Sequence, residues 1–194
     1  MKSLCFMLSV VLLALSTVAF AQSEAQQPVA HSDAQKPVQS EAQKSFDKLK
    51  TLAGSWEARV TTDPPQAEME GGLMQVTLRV TSRGNALVHE MKDAGKPDDP
   101  RYDHPVTMLY LDSDRLLLTH YCDAGNRPRM VARTSPDGKT VEFDFLDVAG
   151  STQYGHMHHA VFTVIDANHH IEDWTYMTPG DKPVHAHFDL HRKN

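Results

Sequence analysis

Twelve histidines in 194 residues make imidazole the side chain whose placement matters most. Two of them form the pair His156-x-His158, and another, His120, stands two residues before Cys122. Residues i and i+2 of a strand share a face, about 6.5–7 Å apart. His156 and His158 can therefore offer two imidazoles to one metal ion, with His120 as a third nitrogen donor. Zinc or copper suits such a set, with the Cys122 sulfur nearby. A hydrogen-bonded polar cluster without metal accounts for the same spacing.

His120 beside Cys122 also suggests a thiolate–imidazole pair, with Arg129 able to lower the thiol pKa. Side chains at i and i+2 run parallel, which is loose for a catalytic hydrogen bond. No oxyanion-donor set or paired carboxylates accompany them. The reading leans away from an enzyme, and no catalytic residue is assigned. Arg129 with neutral imidazoles suits the anionic head of a small ligand, and binding then tightens as pH falls toward 6. Glu90, on the face of Ala86 and Val88, is expected to point inward and pair with Arg129 or Arg133. Phe143 and Phe145 share a face and form apolar wall, which in a hollow barrel is also ligand wall.

The elements that must position these groups are strands. Phe46, Leu49, Leu52 and Ala53 recur at helical spacing, and Gly54 can end that helix. The period then becomes two, as in Trp56, Ala58 and Val60 and in Met74, Val76, Leu78 and Val80. Further apolar runs cover 86–91, 106–111, 116–122, 130–134, 141–148, 156–165, 171–177 and 184–190. Gly, Asn, Asp and Pro clusters separate them. His169 and His170 fall in one of the expected turns. The expected fold is all-β: an antiparallel up-and-down β-barrel of about ten strands with a short N-terminal helix. Closure removes strand edges, and ten strands leave room for a cavity.

In a meander barrel, alternate hairpin loops share an end. The loops after the third, fifth, seventh and ninth strands then form one mouth. They gather His89, His104, His120, Cys122, Arg129, His156, His158 and Trp174 there, opposite Trp56 and the helix. His120, Cys122 and His158 share faces with apolar residues and are expected inside. His185 and His187 share a face with Asp189 and His191 and are expected to face solvent. Pro97, Asp98, Asp99 and Pro100 mark a polar loop that could act as a lid.

The remaining composition sets the context. A net charge of −6 and a pI near 6.0 supply no basic field, which argues against nucleic acid as a partner. Lys2, the apolar run 4–20 and Ala19-Phe20-Ala21 have the pattern of a cleaved signal peptide. The expected organisation is a signal peptide at 1–21, a disordered tether at 22–43 carrying three S-[ED]-A-Q repeats, and a barrel at 44–194. The mature chain then has no transmembrane segment, a periplasmic or secreted location, and one cysteine, Cys122. Oligomeric state is left open.

Phe46-x-x-Leu49-x-x-Leu52-Ala53-Gly54-Ser55-Trp56 resembles the helix-then-G-x-W opening of the calycins, the lipocalin and fatty-acid-binding-protein group. In that group the Trp plugs the closed end of the barrel. Strand number is most similar to nitrobindin, a ten-stranded haem barrel. The stretch from Leu118 to Met130, with His156-Met157-His158, resembles exported bacterial lipocalin-like proteins of unknown function. The calycin resemblance implies a small, partly apolar ligand inside the barrel. The nitrobindin resemblance implies a haem ligand from the last strand, here His185 or His187. Ala58 stands where that first strand carries a further Gly. No cofactor is required by the binding reading; zinc, copper and haem belong to the enzyme alternative at the same histidines.

Overall fold

The computed structural model describes residues 38–193, apart from 68, 70, 97–100, 136 and 137. The expected signal peptide, most of the tether and the 97–100 lid lie outside the described residues. The helix α1 spans Glu41–Lys50. Ten strands follow: β1 (Gly54–Asp63), β2 (Leu73–Thr81), β3 (Ala86–Asp93), β4 (Val106–Asp112), β5 (Arg115–Tyr121), β6 (Arg127–Thr134), β7 (Thr140–Ala149), β8 (His156–Asp166), β9 (His169–Thr178) and β10 (Lys182–Arg192). Each strand pairs antiparallel with the next, and β1 also pairs with β10, so the sheet is a closed up-and-down barrel.

The helix begins earlier than its apolar spacing indicated. Ser40 caps it by accepting the Gln43 N–H at 3.2 Å, so the last S-E-A-Q repeat is an N-terminal cap and first turn rather than tether. Phe46 and Leu49 are buried, and α1 packs against β2, β4, β5 and β6. Trp56 closes this end. It is fully buried, and its indole N–H donates to the Leu52 carbonyl at 2.8 Å. Arg192 lies 4.1 Å over the Trp56 ring and donates to the Ala53 carbonyl. Gly54 makes that approach feasible: its φ is +144°, and a Cβ there would run into the Arg192 guanidinium.

Alternation sets the inner face wherever it is clean. Trp56, Ala58, Val60 and Thr62 of β1 are buried. Leu116, Leu118 and His120 of β5 are buried with them. The interior is filled by large rings: Trp56, Phe143, Phe162 and Phe188 are each at most 2% exposed. The wide hollow expected from ten strands is therefore taken up by side chains through the body of the barrel. Bulges in the pairing at Arg129/Met130, Met157/His159 and Val164/Asp166 shift the register of β6–β7 and β8–β9. Among the described residues, no helix is long and apolar enough to cross a membrane.

Candidate functional site

The loops after β3, β5, β7 and β9 do share one end, and hydrogen bonds tie three of these segments together. Asn126 donates to the carbonyls of Ser151 and Gly155 at 2.9 and 2.7 Å, joining the β5–β6 and β7–β8 loops. The Tyr176 hydroxyl donates to the Tyr154 carbonyl at 2.6 Å, joining β9 to the same loop. Gly155, at φ +94°, turns the chain into β8 against the Met177 carbonyl, where a side chain would collide with backbone.

His120 forms the floor of this mouth. It is 5% exposed, and its Nδ1 hydrogen bonds to Thr107 Oγ1 at 2.8 Å. Burial, and then repulsion from His89, lowers the His120 pKa to about 4, so the ring is neutral at neutral pH. Trp174 packs beside it, ring centroids 5.6 Å apart. Where β8 begins, Phe145 stacks on His158 at 4.7 Å and lies 5.0 Å from His156; the bulge there sets Met157, not His156, opposite Tyr176 and against the core. His156 Nε2 is 3.2 Å from His158 Nδ1. Burial and the neighbouring His158 lower the His156 pKa.

Cys122 follows β5 and is partly buried. Burial raises its thiol pKa; a backbone hydrogen bond from Ala124 opposes that, and Asp123 and Asp103 reinforce it. The thiol is therefore held protonated, the opposite of an activated nucleophile. Burial, and then repulsion from Asp123, raises Asp103 to about 6. Among the described residues, the buried Nε2 of His104, next in the chain, has no hydrogen-bond partner. This end of the barrel thus holds the neutral His120 imidazole, a protonated thiol, aromatic rings and two carboxyl groups.

Two groups expected in that mouth lie outside it. Arg129 points outward and is held by Asp147 across the β6–β7 pair, Nε to Oδ1 at 2.8 Å. Met130 takes the inward position next to it and is fully buried. Glu90 is exposed, and His89 is the inward residue. The run Ala86–His89 is buried on both faces, so its apolar pattern carried no parity. The expected Glu90 pairing fails with it: Arg133 instead binds Glu142 and Asp144. Phe143 belongs to the core, edge-on to Phe162 at 5.8 Å.

The three proposed metal ligands are not gathered into a single set. His156 and His158 meet, whereas His120 is engaged with Thr107 and Trp174. Among the described residues, two groups bring three metal-ligating atoms within 4.8 Å, and neither contains His120, His156 or His158. The last-strand histidines also do not fit a haem inside the barrel. His185 and His187 are exposed on the outer face, bonded to Thr175 and Asp173.

A second polar group lies deeper, unforeseen from the sequence. Glu172 is fully buried and accepts three hydrogen bonds, from His89 Nε2, His170 Nε2 and Trp174 Nε1, each at 3.0 Å. Burial alone would raise its pKa. Attraction to His89 and the hydrogen bonds from His170 and His89 outweigh that and hold it far below the usual carboxylate range. His170, expected in a turn, is an interior residue of β9 with its ring edge-on to Trp56 at 4.2 Å. The signal was present: His170, Glu172 and Trp174 alternate, as an inward face must. The partner His89, 83 residues away, was not readable.

Two surface hollows flank the barrel. One of about 430 Å³ lies beside α1 and is lined by Glu41, Arg115, Leu116 and Ala132. One of about 250 Å³ lies near the mouth and is lined by Gln75, Glu90, Lys92 and His104.

No family model matches the chain, and no curated protein matches it. The crystal structure of Rv2717c from M. tuberculosis is similar, with a TM-score of 0.54 at 14% identity, over 77% of this chain and 98% of that one. A protein of unknown function of the DUF3598 family from Nostoc punctiforme gives a TM-score of 0.23 at 6% identity, over 77% and 99%. At such identities the likeness to Rv2717c concerns the fold alone.

Proposed function

We propose that this protein is an exported, calycin-like binding module that takes a small, partly apolar, uncharged ligand at the open end of its barrel. The observation that carries this is the rim itself. Phe145, His156 and His158 form a half-buried stack where β8 begins, at the end of the barrel that also holds the neutral His120, beyond a core already filled. Half-buried aromatic and imidazole surface at one end of a packed barrel suits a ligand with an apolar body and a hydrogen-bonding group. The outward placement of Arg129 and the presence of Asp103 and Asp123 at the rim disfavour an anion, which revises the anionic head group expected above. The pattern at residues 1–21 supports export to the periplasm or medium.

The test uses N-phenyl-1-naphthylamine, a neutral apolar fluorophore, with energy transfer from Trp174 as readout. Phe145→Ala and His158→Ala should each weaken its binding about tenfold, the effect of losing one buried aromatic contact. A fatty alcohol should displace it better than the fatty acid of equal length. Unchanged binding in both variants, or preference for the acid, overturns the reading.

A further inference from the structure

We infer that the outer face of the β9–β10 pair carries a site for a divalent cation of the zinc or copper type, formed by His169, Asp189 and His191. This site lies on the outer face of the sheet and does not depend on the binding function proposed for the mouth.

The strand register builds it. His169 of β9 and His191 of β10 are directly opposite each other, and Asp189 shares the outer face of β10 with His191 two residues on. The two imidazoles stack with centroids 4.5 Å apart and planes at 18°. Both present Nε2 to the same carboxylate oxygen, at 2.6 Å for His169 and 3.5 Å for His191. The three ligand atoms all lie within 4.8 Å of one another.

A tetrahedral ion with bonds of about 2.0–2.2 Å spaces its ligands about 3.3 Å apart. The His191–Asp189 distance already matches. The His169–Asp189 contact must open by about 0.7 Å, and the two nitrogens must draw together. Rotation about exposed side-chain torsions supplies this, since the three side chains are 29%, 53% and 65% exposed. Two imidazoles and one carboxylate are a donor set for zinc or copper rather than magnesium or calcium. The remaining coordination positions face solvent.

The contrast with the second three-residue group supports the choice. Glu142, Asp144 and His159 also converge, but Arg133 already occupies both carboxylates. Among the described residues, the ion-pair partners of Asp189 are the two histidines. The same outer face continues along β10 to His187, bonded to Asp173 at 2.6 Å, and His185.

The test is titration of the full-length barrel protein with Zn²⁺ by calorimetry and with Cu²⁺ by electron paramagnetic resonance. One equivalent should bind, and the Cu²⁺ spectrum should carry coupling to two nitrogens. His169→Ala, His191→Ala and Asp189→Asn should each weaken binding about tenfold or more, since even outer-shell changes cost that much. His187→Ala, His120→Ala and the double change His156→Ala/His158→Ala should leave it unchanged. Circular dichroism melts verify that the surface variants stay folded. The inference is overturned if His169→Ala and His191→Ala bind as the parent does, or if binding is lost in the His156/His158 variant instead.

Discussion

The buried carboxylate allows a quantitative prediction. Replacing Glu172 by Leu removes the acceptor for three buried donors, His89 Nε2, His170 Nε2 and Trp174 Nε1, each 3.0 Å away. Leaving a buried donor unsatisfied costs about 1–3 kcal/mol. Three of them set a range of about 3–9 kcal/mol, and relaxation brings the expected loss to about 4 kcal/mol, in line with breaking other buried charge pairs. Glu172→Gln should cost less, about 2 kcal/mol, because its carbonyl still serves His89 and Trp174 while the amide meets His170. Against a typical total of 5–15 kcal/mol, the Leu variant is left marginal. The assay is urea unfolding at pH 7 followed by far-ultraviolet circular dichroism, since Trp174 is itself a partner of the carboxylate and its emission would change locally. Equal m-values are required, so that the shift in midpoint reports stability. Adding His89→Leu to Glu172→Leu should recover part of the loss, because one stranded donor goes with it. A Leu variant within 1 kcal/mol of the parent, or one more stable than the Gln variant, refutes the view that these three donors depend on the carboxylate.

The other predictions concern pH, reactivity and the closed end. His120 titrates near pH 4 in the folded protein and near 6.5 unfolded; its stabilisation is complete above about pH 6.5 and is lost as pH falls toward 4, on the order of 3 kcal/mol. Asp103, raised to about 6 by burial, acts oppositely: the folded form holds its proton more tightly, and that stability is lost as pH rises through 6. Asp103→Asn should therefore steepen the decline of stability between pH 6 and 4, and His120→Phe should flatten it, both read from melts across pH. Cys122 should react with iodoacetamide at pH 8 more slowly than free cysteine; a faster rate would show an activated thiol. Gly54→Ala should cost about 1–3 kcal/mol in thermal unfolding, because φ +144° strains a residue with a Cβ and the Arg192 guanidinium must shift off it.

The sequence by itself determined the number and order of strands, because period-two apolar runs alternate with turn residues, and it placed the helix and Trp56 at one end. It also determined the outer stripe of β10, where Val184, Ala186, Phe188 and Leu190 alternate cleanly with His185, His187, Asp189 and His191. Tertiary structure decided which side chains face inward wherever alternation failed. The run from Ala86 to His89 is apolar on both faces, so the choice between His89 and Glu90 was invisible locally. Arg129 sits at a bulge, where one residue of register reverses a face. The meeting of Glu172 with His89 was beyond any local pattern. It depends on which strands face each other across the closed barrel, a property of strand tilt and shear rather than of either segment alone.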